Sequence, residues 1–119
     1  MGNSESRSAR RERVNSTLSL KFKVKPGLKL ALLSELKTIL DLCAREPEFV
    51  AAILNEYPNQ PDKLFLLEIW RGTPEDFARV QGPKPYRQAY LEHSKPLLES
   101  VNVEWLAPTH EWGTELLAR

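Results

Sequence analysis

Hydrophobic positions alternate at Leu18, Leu20, Phe22 and Val24, with Thr17, Ser19, Lys21 and Lys23 between them, the period-two pattern of a half-buried strand. Pro26 and Gly27 end it. From there Leu28, Leu32, Leu36, Leu40 and Cys43, with Ile39 beside them, recur at helical spacing and predict a helix to about Ala44, stopped by Pro47. FVAAILNEY, residues 49–57, reads as a second strand, PNQPD at 58–62 as a hairpin loop longer than the minimum, and LFLLEIWR at 64–71 as the return strand. Thr73 is a good N-cap, Pro74 suits the first helical position, and Glu75 and Asp76 favour the positive end of the dipole. They open a short helix, which GPKP at 82–85 interrupts. A further helix is predicted over 85–98, with Tyr86, Ala89, Tyr90, His93 and Leu97 on one face and Pro96 kinking or shortening it. VNVEWLAPTHEW, 101–112, is a last strand in which Pro108 marks a bulge or edge.

Strand, helix, strand, strand, helix, strand is the split βαβ order of a ferredoxin-like α+β sandwich, an antiparallel sheet with helices on one face. The strand at 64–71 adds a second expectation. Leu64, Leu66, Glu68 and Trp70 share one side and Phe65, Leu67, Ile69 and Arg71 the other, so both sides are largely apolar. One helix layer covers only one of them. A second copy of the sheet is the economical cover for the other, which predicts a homodimer pairing as a dimeric α/β barrel.

The length of 119 residues suits one domain, expected over 17–112 between a flexible basic tail at 1–16 and a C-terminal tail at 113–119. Seventeen Lys and Arg against 16 Asp and Glu leave the chain near neutral, which removes the bulk-charge case for a nucleic-acid partner. The lone Cys43 makes no internal disulfide, and on an apolar helical stripe it reads as a buried thiol in a reducing compartment. No apolar run approaches the roughly 20 residues that span a bilayer, so a cytoplasmic protein is expected. Gly2 and Ser6, followed by Arg7, Arg10, Arg11 and Arg13, match a myristoylation pattern with a basic patch, the one route to a membrane.

VKPG after the first strand, a helix closing on REPEF, the hairpin into LFLLEIW, then TPEDF, PYRQAY and KPLLE together resemble the antibiotic biosynthesis monooxygenase family of dimeric α+β barrels, over about residues 17–112. The most specific elements are Glu46 with Pro47 and the E-x-W formed by Glu68 and Trp70. That resemblance implies a cofactor-independent monooxygenase of a small aromatic phenol or quinol. It also admits a non-catalytic binding or stress-response barrel and a proton-transfer isomerase, since one fold hosts several reactions. Many members carry a histidine in the short helix after E-x-W; here Val80 stands at or near that position, with Gln81 next to it. The haem-degrading branch has an iron-ligating histidine in the next helix, where Tyr90 falls here; His93, about one helical turn further on, is the residue that could replace it.

Cofactor-free oxygenation needs an apolar pocket, a group that takes the substrate's proton, and donors that hold the anion. Glu68, Trp70 and His93 are the catalytic candidates, and Tyr86, Tyr90, Gln81 and Lys21 the substrate-binding ones. Each has a plain structural alternative: Trp70 as a packing residue, Glu68 paired with Lys21, Tyr86 and Tyr90 as helix packing, His93 exposed beside Glu92 and Lys95. A Glu68 buried without such a partner would have a raised pKa and could act as a base. His110 lies near the end of the fold, and two distant histidines give no metal-binding spacing; that no cofactor is needed is what the resemblance implies.

Overall fold

The structure is a computed structural model that describes residues 14–112. The basic tail with its lipidation pattern and the C-terminal tail lie outside the described residues, apart from 14–16. The elements are β1 (Asn15–Val24), α1 (Lys29–Cys43), β2 (Phe49–Tyr57), β3 (Gln60–Arg71), α2 (Pro74–Val80), α3 (Pro85–Ser94), a 3₁₀ turn (Lys95–Leu97) and β4 (Leu98–Leu106). All strand pairs are antiparallel and the sheet order is β2-β3-β1-β4, the ferredoxin-like arrangement.

Alternation decides which face of the sheet the helices cover. Phe22, Val24, Leu64 and Leu66 point into one core with Leu32 and Leu36 of α1, while Ile39, Cys43 and Trp70 form a second cluster beside it. Glu68 belongs to this same face and is only 5 % exposed, because β3 is an inner strand flanked by β1 and β2. On the opposite face Phe65, Leu67 and Ile69 are half-buried and Ile53 is 51 % exposed within the single chain. The two-sided character of β3 is therefore present, with one side under helices.

Several boundaries depart from the sequence expectation. β1 begins two residues earlier than the expected domain start, since Asn15 and Ser16 pair with Arg71 and Trp70. The β2–β3 connection is a tight turn through Pro58 and Asn59, with Tyr57 opposite Gln60, so Pro61 lies inside β3. Proline is tolerated there because β1 pairs with β3 only from Lys63 onward and no partner asks for its N–H. Pro96 ends α3 as a 3₁₀ turn rather than kinking a longer helix. β4 starts at Leu98 and stops at Leu106, and residues 107–112, with Pro108 among them, carry no regular structure.

Candidate active site

The E-x-W spacing places two neighbouring side chains on one face of β3, and the structure joins them directly. The Trp70 indole N–H donates to Glu68 Oε1 at 2.7 Å in the buried interior. Trp70 itself is 1 % exposed and packs edge-on against Phe49 at 5.2 Å and Phe77 at 5.1 Å. Burial pushes the Glu68 carboxyl above its ordinary value; the indole N–H and then Arg87 act against that shift without cancelling it.

Arg87 comes from α3, and Phe77 from α2. The latter helix is placed by its N-terminus: Gly72 turns the chain at φ 94°, Thr73 Oγ1 accepts from the Asp76 N–H at 3.1 Å, and Asp76 Oδ2 accepts from the Thr73 N–H at 3.0 Å. Phe77 then lies beneath the Arg87 guanidinium, 4.8 Å from ring centroid to Cζ. Arg87 Nη2 donates to Cys43 Sγ at 3.3 Å, while its Nε is buried and finds no acceptor among the described residues. Burial raises the Cys43 pKa, against the nearby Arg87 charge.

Glu68, Arg87 and Tyr90 line one cavity of about 170 Å³, otherwise walled by apolar and aromatic side chains that include Leu18, Leu66, Phe77 and Trp105. No ion pair joins Glu68 to Arg87 among the described residues, although both face this space. Tyr90 has its phenol pushed up to about 12, chiefly by burial, so it stays a donor at neutral pH. An acid that is a latent base, a fixed cation and a phenolic donor thus meet in a mostly apolar space.

The remaining expected residues lie elsewhere. Lys21 does not pair with Glu68: the register sets Leu18 opposite Glu68 and Lys21 opposite Phe65, on the open face. His93 has its side chain 61 % exposed with Nδ1 3.6 Å from Glu35, outside the cavity lining. Gln81 is buried and bridges two neighbours, donating to Glu46 Oε1 at 3.0 Å and accepting from the Tyr86 hydroxyl at 3.2 Å. Tyr86, also pushed up to about 12 by burial first and then by Cys43 and Glu46, packs on the Trp70 cluster. His110 sits beyond β4, 6.1 Å from Trp112. Among the described residues no group of three or more His, Cys, Asp or Glu could hold a metal ion, and no helix is long and apolar enough to cross a membrane.

A second hollow, about 260 Å³, lies between the β2 start, the β3 end and α2, and Val80 lines it. It is larger, yet its polar walls are mostly engaged: Asp76 with Thr73 and Arg79, Gln81 with Glu46 and Tyr86, Arg71 with the Pro47 and Phe49 carbonyls. Among the described residues, Glu48 keeps there a buried carboxylate oxygen without a hydrogen-bond partner. The Glu68 cavity instead brings an acid and a cation, not ion-paired to each other among the described residues, into one mostly apolar space.

The β2-β3-β1-β4 sheet under its helix layer is that of a ferredoxin-like α+β protein, and the chain has the fold of the antibiotic biosynthesis monooxygenases. Among the structures it resembles is SnoaB from Streptomyces nogalater, a cofactor-independent oxygenase, at 16 % identity and TM-score 0.73 over 85 % of this chain and 99 % of that one. A candidate antibiotic biosynthesis monooxygenase from Chloroflexus aurantiacus superposes with TM-score 0.69 at 21 % identity, covering 83 % and 97 % of the two chains. Rv0793 from Mycobacterium tuberculosis gives 0.73 at 22 %, covering 83 % and 99 %. No protein-family model and no curated protein matches the sequence. At these identities the likeness is one of fold.

Proposed function

We propose that the protein is a homodimeric, cofactor-independent monooxygenase of a small phenol or quinol. The observation that carries this reading is that Glu68 and Arg87 share one largely apolar cavity with no ion pair between them among the described residues. The fold it shares with SnoaB agrees with it. Glu68, held above its ordinary pKa, is better matched than an exposed carboxylate to a phenolic proton, and Arg87 offsets the charge of the phenolate. The electron-rich ring carbon of that anion gives its electrons to oxygen, forming a C–O bond and a peroxide that takes the proton back from Glu68. Loss of the ring hydrogen as a proton breaks the O–O bond. One oxygen atom stays as the new carbonyl, the other leaves as water, and phenol plus O₂ becomes quinone plus water with no outside reductant.

Trp70 serves as a positioning residue through its bond to Glu68 Oε1, and Tyr90 as a donor to the anion. The open face bearing Phe65, Leu67, Ile69 and the exposed Ile53 is the surface on which a second copy would pack. Oxygen uptake with hydroquinones and anthrones in metal-free buffer tests the chemistry. Glu68→Gln should slow it by roughly 10² to 10⁴, the usual contribution of a positioned base. Absence of uptake at high protein concentration would leave the binding-barrel and proton-transfer isomerase readings in its place. Ile69→Asp should convert a dimer seen by light scattering to monomer, and a monomeric wild type would sink the dimer.

A further inference from the structure

We propose that the Glu68 cavity admits a ligand of one aromatic ring, and that Trp105 is the residue that sets this limit. The proposal rests on the reading above for the choice of cavity, and is independent of whether the reaction is oxygenation. The strand register sets Glu68, Leu18 and Trp105 side by side across β3, β1 and β4, all on the helix side. Neighbouring strands lie about 4.8 Å apart, so the backbones of Glu68 and Trp105 are separated by roughly 10 Å. The carboxyl stands at one end of that row and the indole at the other, with Leu18 as the floor between them.

The indole is braced. Its ring meets Phe77 edge-on at 5.1 Å, and Phe77 is in turn fixed against Trp70 at 5.1 Å and beneath Arg87. Moving Trp105 aside therefore disturbs a chain of aromatic contacts that runs back to the Glu68 partner. The volume suits one ring, in a hollow that is open to solvent on one side. The cavity measures about 170 Å³, and an apolar cavity of about 150 Å³ is known to take up benzene. A ring whose hydroxyl donates to Glu68 and accepts from Arg87 fills it. A second ring fused along the row would need the place of the indole.

Titration calorimetry with hydroquinone, 2-naphthol and 1,8-dihydroxyanthrone tests this on the wild type, Trp105→Ala and Trp105→Leu, with Trp112→Ala as a control at an 82 % exposed indole outside the cavity. Wild type should bind hydroquinone about tenfold or more tighter than 2-naphthol, the scale on which a filled pocket rejects extra carbon. In both Trp105 variants that ratio should fall by about tenfold or more, as the two-ring ligand gains the indole's space. Trp112→Ala should leave it unchanged. Two variants of different size keep the test decisive when one of them melts early. Equal binding of one- and two-ring phenols by the wild type, an unchanged ratio in the folded Trp105 variants, or no binding of hydroquinone by the wild type would each overturn the proposal. The size order without oxygen uptake would remove the oxygenase reading and leave this inference standing.

Discussion

Replacing Trp70 by Phe removes one N–H from Glu68 while keeping an aromatic ring between Phe49 and Phe77. The bond at stake is 2.7 Å long, buried, and aimed at a carboxylate oxygen. A hydrogen bond to a charged group is worth about 1.5–3 kcal/mol net and one to its neutral form about 0.5–1.5, so the indole favours the ionised acid by roughly 1–1.5 kcal/mol. Without it the proton should be held roughly five- to tenfold more tightly, and the Glu68 titration midpoint should move up by about one pH unit. The sign follows from the environment: burial already raises this carboxyl, and the indole is the larger of the two effects opposing it. Carboxyl ¹³C chemical shifts in glutamate-labelled protein would follow the titration, with Glu68→Gln identifying the resonance. Activity should shift with it, its acid limb moving to higher pH while the plateau at high pH stays. A Trp70→Phe midpoint equal to or below that of the wild type would refute the assignment of the indole as the donor that tunes Glu68.

The same group makes stability pH-dependent. Because the folded-state pKa of Glu68 is raised above 4.5, its contribution is full below that ordinary value and is lost as pH rises through the folded value. Urea midpoints should therefore show Glu68→Gln gaining on the wild type from pH 4 upward, and a constant difference between pH 4 and pH 8 would refute it. Gly72→Ala addresses the entry to α2: at φ 94° an added Cβ would meet Asp76 Oδ2 at 2.9 Å, inside the capping box. Left-handed strain alone costs about 1–3 kcal/mol. Thermal melts should report a loss of at least that order, and an unchanged melting temperature would show that the turn relaxes freely.

The fold and half of the candidate site were legible because both depend on the same short-range rule. Period-two alternation sets the strand faces, and on β3 it puts Glu68 and Trp70 side by side without reference to any tertiary contact. The Lys21 pairing failed where that rule was not carried across strands. Leu18, Leu20 and Phe22 share a face with Leu64, Leu66 and Glu68, so Lys21 had to fall with Phe65. Helical spacing puts His93 on the stripe of Tyr86 and Tyr90, yet a helix that packs along one narrow line leaves the stripe's margin in water, and the imidazole lies there beside Glu35.

Arg87 and Trp105 could not have been singled out in the same way, and the reason bears on the chemistry. Arg87 lies between the two tyrosines in PYRQAY and looks like solvated helix charge; only the docking of α3 over β3 turns its stem across Phe77 and its Nη2 toward Cys43. Trp105 sits on an edge strand whose register against β1 no local pattern encodes, and that register alone decides that it shares a row with Glu68. The acid is thus supplied by a local motif, whereas the cation and the far wall are supplied by packing. A chain that keeps E-x-W but repacks α3 or shifts β4 would retain the buried carboxyl and its indole partner while changing what the pocket admits. On the proposed reading, that division would let one fold keep a proton acceptor while its substrates vary, and the specificity of this chain would lie in Phe77, Arg87 and Trp105 rather than in the motif by which the fold is recognised.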